Sequence, residues 1–107
     1  MDKLIENCLG FQWDEGNSEK NWEKHKVSKS ECEQAFFNLP LIITDDTKHS
    51  IDENRWFILG RTDTDRLLFI VFTIRENLIR VISARNMNNK EREIYNEQNK
   101  KYTELKQ

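Results

Sequence analysis

Seven arginines, Arg55, Arg61, Arg66, Arg75, Arg80, Arg85 and Arg92, fall in the second half of the 107-residue chain, where no lysine occurs between Lys48 and Lys90. A guanidinium keeps its charge at any working pH and presents a planar fork of donors that matches phosphate oxygens. A cluster of arginine alone therefore points to anion recognition, with RNA the first partner to consider. If Glu76-Asn77 is the loop of a hairpin, Arg75 lies across from Leu78 and Thr73 from Arg80. Arg75 and Arg80 then share one face of a sheet, within reach of one phosphate. Two like charges that close need an anion or a carboxylate between them, for which Glu53 and Asp63 are candidates. An ion-paired sheet surface with no role in chemistry is the equally simple alternative. Arg55 and Arg61 share a parity if their strand runs unbroken, although Gly60 can bend it. Arg85 has the opposite parity to Arg80 and needs a bulge, or a strand end near Ala84, to join it.

His25 and His49 are the side chains that titrate near neutrality without perturbation. His25 ends a helical segment beside Lys24 and Lys26, where it can either exchange a proton in phosphodiester transfer or simply cap the helix C-terminus. His49 stands among Asp45, Asp46 and Asp52; the spacing matches no metal loop and reads as a solvated acidic turn. Trp13 and Trp56 are the aromatic residues kept as candidates for stacking on a base, the other large aromatics being core. No Ser/His/Asp order or Cys/His pair offers a nucleophile. Cleavage of RNA requires none, because the 2′-hydroxyl of the substrate can attack the neighbouring phosphorus while the protein orients the strand, moves two protons and stabilises charge on phosphate oxygens. Arginines suit that last task, and no metal or other cofactor is implied.

The elements that must position these residues are legible as an α+β order. The start can form a strand through Phe11 and Trp13, and Asp14 can cap a short helix over residues 15–25. Ser28-Lys29-Ser30-Glu31 has the form of a capping box, followed by Cys32, Ala35, Phe36 and Leu39 at helical spacing, which predicts a helix over residues 29–38 before Pro40. Strand character follows at Leu41 to Thr44, Trp56 to Leu59, Leu67 to Ile74 and Leu78 to Arg85. The nearly all-apolar Leu67 to Ile74 reads as the sheet centre, covered on both faces. Asn88 with Glu91 predicts a last helix over residues 89–102, with a charged tail that frays after Tyr102. The expected fold is therefore N-terminal helices, an antiparallel sheet of three or four strands and a C-terminal helix in one domain, residues 1–107.

Charge is unevenly shared: residues 1–54 carry 12 acids against 6 lysines, whereas residues 55–107 carry 7 acids against 11 lysines and arginines. That polarity suits a nucleic acid or an acidic partner on one side. Cys8 and Cys32 form no ligand spacing, and two cysteines make no disulfide framework, so a reduced, cytoplasmic protein is expected. The first residues lack the apolar length of a signal peptide and no run is long enough for a membrane span. With three glycines, the chain contains no G-x-G-x-x-G or P-loop.

Several segments in order resemble the BrnT family of bacterial toxins. They are Phe11-x-Trp13-Asp14, Asn21 ahead of Lys24-His25-x-Val27-Ser28, Glu53-x-Arg55, Gly60, Thr73-x-Arg75, Ile79-Arg80-Val81-Ile82-Ser83-Ala84-Arg85, and Glu91-Arg92-x-x-Tyr95. Lys26 departs from the pattern, standing where a glycine is usual after Lys-His. Residues Asn86 to Asn89 are less basic than is typical. The resemblance implies a RelE-like ribonuclease toxin of a type II toxin-antitoxin pair that cleaves RNA and inhibits translation. It implies as partner a BrnA-like ribbon-helix-helix antitoxin, through which alone the toxin reaches operator DNA. On this basis His25, Glu53, Arg55, Arg75, Arg80 and Arg85 are the expected catalytic residues, with Glu53 or His25 moving protons. Lys24, Arg61 and Trp56 are the expected RNA contacts. A non-catalytic module that binds an antitoxin or a nucleic acid through the same arginines is the alternative from another class.

Overall fold

In the computed structural model, which describes residues 3–106, the chain runs α1 (Lys3–Glu6), β1 (Gly10–Phe11), α2 (Glu15–His25), α3 (Lys29–Phe37), β2 (Ile42–Asp45), β3 (Trp56–Arg61), β4 (Leu67–Arg75), β5 (Leu78–Asn86) and α4 (Asn89–Lys106). A 3₁₀ turn at Thr47–His49 lies between β2 and β3. Local chemistry sets the helix starts. The Asp14 carboxylate accepts the Asn17 N–H while the Asn17 side chain accepts the Asp14 N–H, and Ser28 with Glu31 repeats this reciprocal box for α3. Asn88 and Glu91 do the same for α4, each backbone N–H donating over 2.8 Å to the other's side chain. Helix α2 ends with Lys26 in the left-handed region (φ 56, ψ 41), its N–H donating to Trp22 and that of Val27 to Asn21. That is the conformation glycine adopts without strain.

The strands form one five-stranded sheet in the order β1-β5-β4-β3-β2. Its four longer strands are antiparallel, and β1 adds a short parallel edge to β5. The sheet is thus one strand larger than the expected three or four, and mixed rather than purely antiparallel, because the segment ahead of α2 pairs with the far end of the chain. The β4–β5 loop is Glu76-Asn77, both at positive φ (53 and 63), as the tight two-residue hairpin turn requires. The register follows: Arg75 opposes Leu78 and Thr73 opposes Arg80.

One irregularity in this hairpin decides the face of everything beyond it. Val71 pairs with Ser83 but Phe72 with Val81, so β5 carries an extra residue at Ile82. On one side of the bulge Ile79 and Val81 are buried, on the other Ala84 is, and the parity of outward side chains changes accordingly. Two asparagines of α2 secure the edge of β5 across it. Asn17 Nδ2 donates to the Val81 carbonyl (3.1 Å) and Asn21 Oδ1 accepts the Ala84 N–H (2.9 Å), while Asn21 Nδ2 donates to the Asn17 carbonyl (2.9 Å).

Helix α3 covers one sheet face over a core that includes Phe36, Ile58, Leu68, Ile70, Phe72 and Val81, while α2 lies along β5 through Asn17 and Asn21. Phe36 meets Phe72 edge to face with centroids 5.1 Å apart. Gly60 does not bend β3; an added Cβ there would stand 2.6 Å from the Ala35 carbonyl oxygen, so the glycine lets α3 lie close. On the opposite face α4 is anchored by Tyr95, whose hydroxyl donates to the Pro40 carbonyl over 2.7 Å and whose ring packs with Leu59 and Met87. Burial pushes the Tyr95 phenol up to about 12, so it stays a donor. The helix continues to Lys106, beyond the expected end at residue 102. Strand β4 is central as expected, but the expectation that both its faces are covered holds only in part: its second face is sheltered at one end and open toward the hairpin.

Two substitutions should move stability in opposite directions. Asn21→Ala strands the buried Ala84 N–H and should cost about 1–3 kcal/mol in urea unfolding. Lys26→Gly removes the left-handed strain, at the loss of the ammonium's 5.4 Å approach to the Trp22 ring. A gain of about 0.5–1 kcal/mol is expected.

Candidate functional site

Because α4 stops short of the hairpin, Phe57, Phe69, Val71, Ile82 and Ser83 floor an open hollow of ≈ 320 Å³, rimmed by Asp46, His49 and Arg55. A neighbouring hollow of ≈ 490 Å³ is lined by His49, Ile51, Asp52, Glu53, Arg55 and Arg75. The two share His49 and Arg55. The loop that supplies these residues is braced by Ser50, whose hydroxyl donates to the Asp46 carbonyl (2.7 Å) and accepts the Arg55 N–H (2.9 Å). The Asp46 N–H in turn donates to the Arg55 carbonyl.

Carboxylates hold most of the arginines. Arg75 grips Glu53 through two bonds, Nε to Oε2 at 3.0 Å and Nη2 to Oε1 at 2.8 Å. Glu53 is held below the usual carboxylate range first by Arg75 and then by the charges of Arg55 and Arg80; Arg55 shares its hollow, and the hairpin register sets Arg80 on the face of Arg75. Arg75 is raised in return, by Glu53 and more weakly by Asp14. Arg80 donates through Nη2 to Asp14 at 2.7 Å. Asp14 is lowered first by the Asn17 N–H and then by this bond. The bulge brings Arg85 to the same face as Arg80, where it lies 4.1 Å from the centroid of Phe69 and pairs with both oxygens of Glu91 (2.8 and 3.1 Å). Burial alone would push Glu91 up; Arg85 and the Asn88 N–H override it and leave the group low. Arg55 forms no side-chain ion pair among the described residues.

The structure thus gathers Glu53, Arg55, Arg75 and Arg80 at the hairpin end, with Arg85 further along β5 on the same face. The other expected residues lie elsewhere. His25 and Lys24 close α2 at the far end of the sheet, about 17 Å along the helix from Asp14. There the His25 and Lys26 carbonyls accept from Arg66 of the β3–β4 connection. Arg61 does share the parity of Arg55, yet it is taken up by the Leu39 carbonyl and Asp65. Trp56 points to the helix-covered face, stacked 5.9 Å from Phe72, and Trp13 packs against the same core. Phe57 is the aromatic on the open side. Asp63, offered as a neutraliser of Arg75 and Arg80, instead accepts from Asn38.

Sequence reasoning missed the second role of the capping acids. Asp14, Glu31 and Glu91 each start a helix and each also bind an arginine, respectively Arg80, Arg66 and Arg85. The available signal was the coincidence of a capping box with an outward arginine on a neighbouring strand. His49, read as part of a solvated turn, borders both hollows.

Comparison with known families adds the decisive observation: residues 13–91 match the family described as ribonuclease toxin, BrnT, of type II toxin-antitoxin system. The chain belongs to the BrnT family. As a BrnT protein it is a ribonuclease toxin of a type II toxin-antitoxin system, and an antitoxin is its partner. No curated protein matches the chain. The matched span contains Glu53, Arg55, Arg75, Arg80 and Arg85, and it ends at Glu91, the clamp on Arg85. Among the described residues no helix is long and apolar enough to cross a membrane.

The lowered carboxyl groups of Asp14, Glu31, Glu53 and Glu91 make this BrnT fold acid-labile in a definite direction. A carboxyl with a depressed folded pKa contributes stability in full above its unfolded value, about 4, and loses it as pH falls through the folded value. The urea midpoint should stay level from pH 7 to about 5 and drop below about 4. Glu91→Gln should lower stability at pH 7 and flatten that drop.

Proposed function

We propose that this chain is a RelE-like, metal-independent endoribonuclease that inhibits translation in the cytoplasm by cutting RNA at its open sheet face. Support comes from one observation above the others, the sharing of one hollow by Arg55, Arg75 and Glu53, with Arg80 on the same sheet face, beside an aromatic floor. A scissile phosphate bound there meets donors already oriented by carboxylates. Charge developing on its oxygens is therefore stabilised without reorganisation. In this assignment Arg75 and Arg80 hold the scissile phosphate, and Arg55 and Arg85 hold flanking phosphates or the transition state. A guanidinium has five N–H donors, so an arginine bound to a carboxylate keeps others for a phosphate. Glu53, ionised by its arginine neighbours, serves to clamp Arg75. Phe57 is the surface on which a base stacks.

The assigned partner is a BrnA-like ribbon-helix-helix antitoxin that neutralises the toxin by covering this face, acids against the arginines and apolar groups against Phe57. Operator DNA is then contacted through the antitoxin alone. The test is RNA cleavage by the purified chain in EDTA, beside Arg75→Ala and Arg80→Ala at equal folded concentration, with and without antitoxin. The parent should cut, each variant should be slower by about 10²-fold or more, and antitoxin should suppress the reaction. Unaltered activity in both variants would remove the assignment. Intact RNA with salt-sensitive binding would instead identify a non-catalytic binding module.

A further inference from the structure

The ribonuclease proposed above needs a group that takes the proton of the 2′-hydroxyl, and neither expected candidate is suited. Glu53 is pulled low by Arg75, which makes it a weak base and an unsuitable acid, and both its oxygens are occupied. His25 lies at the opposite end of the sheet, where its carbonyl serves Arg66. His49 stands between the two hollows that together make the site. Its Nδ1 is 3.0 and 3.1 Å from the two oxygens of Asp46. A carboxylate accepts and does not donate, so in the neutral ring this contact puts the proton on Nδ1 and the lone pair on Nε2. The side chain of His49 is 60% exposed and that of Asp46 16%, so the orienting acid is sheltered while the imidazole is open to a ligand. Ser50 ties the backbone at Asp46 to that at Arg55, fixing the dyad relative to the arginine. No third His, Cys, Asp or Glu joins Asp46 and His49 as a metal-binding group among the described residues.

We propose, on the basis of the ribonuclease reading, that His49 is the general base of this site and Asp46 the residue that orients it. A nucleotide with its base on Phe57 and its 3′-phosphate, the scissile one, on Arg75 and Arg80 has its ribose beside His49, with Arg55 at the shared rim to meet the transition state. In the step, the Nε2 lone pair takes the 2′-hydroxyl proton as the O2′ electron pair forms the O2′–P bond. The P–O5′ bond breaks with its electrons on O5′, which takes a proton from water. The hydroxide left behind is neutralised by the imidazolium proton. The products are a 2′,3′-cyclic phosphate and a 5′-hydroxyl, with no net change in protons.

The test compares the full-length parent, His49→Ala and His49→Gln on an RNA oligonucleotide, with and without added imidazole. Affinity is measured in parallel on the same oligonucleotide made 2′-deoxy at the cleaved position. His49→Ala should cut about 10²-fold to 10⁴-fold more slowly, bind the deoxy analogue within about threefold of the parent, and recover part of its rate with imidazole. His49→Gln, which keeps an amide donor toward Asp46 but has no basic nitrogen, should be equally slow. Cleavage by both variants within about threefold of the parent overturns the inference while leaving the ribonuclease reading intact. A rate loss matched by a loss of affinity and untouched by imidazole also overturns it, making His49 a binding residue. A parent that cuts no RNA removes the ribonuclease reading itself, and the inference with it.

Discussion

Two asparagine side chains one helical turn apart carry the geometry of this molecule. Asn17 and Asn21 of α2 satisfy the Val81 carbonyl and the Ala84 N–H, edge groups of β5 that the two-residue strand β1 is too short to reach. Buried backbone groups left unpaired cost about 1–3 kcal/mol each, so an edge without these partners would favour another arrangement. With the edge satisfied, the bulge at Ile82 is tolerated, and the bulge turns Arg85 away from the core and onto the face of Arg80. A regular strand would have pointed that guanidinium to the side of Ile79 and Val81, into the core.

The helices are tied to the sheet by the same economy of groups. Asp14, Glu31 and Glu91 accept backbone N–H groups at the first turns of α2, α3 and α4, and the same carboxylates bind Arg80, Arg66 and Arg85. Each arginine is therefore positioned by a helix terminus, and each helix terminus by a strand. Arg55 and Arg75 stand outside this scheme: Arg75 pairs with a loop acid, and Arg55 with no side-chain anion among the described residues. The ion-paired surface and the proposed phosphate site are not rival descriptions here. The carboxylates keep like charges close together in the absence of a ligand, which is the condition for a preorganised anion site.

Helix α4 covers only half of the second sheet face because its contact is a small cluster around Tyr95 and Met87, at the end of the sheet remote from the hairpin. The exposed half retains apolar side chains, Phe57 and Val71 among them, in strands whose other face is core. A polar sheet surface would have served solubility; an apolar floor beneath a basic rim serves a ligand with flat bases and charged phosphates.

The sequence by itself determined α2, α3, the four longer strands and α4, but not α1, together with the hairpin register, the placement of Arg75 and Arg80 on one face, and the family. These are legible because their causes are local. A capping box links residues three apart, and a two-residue turn dictates the pairs that flank it. What tertiary structure alone decided is the bulge that recruits Arg85, the bond between Asp14 and Arg80, the burial of Trp56 and the seating of His49 beside Arg55. Asp14 and Arg80 are 66 positions apart, and Asn17 and Val81 are 64 apart. Contacts at that range depend on how a helix lies across a strand, which hydrophobic periodicity permits but does not specify. His49 read as solvated for the same reason: its Asp46 partner is three residues away and local, but the groove it borders is built by strands that the chain reaches only later.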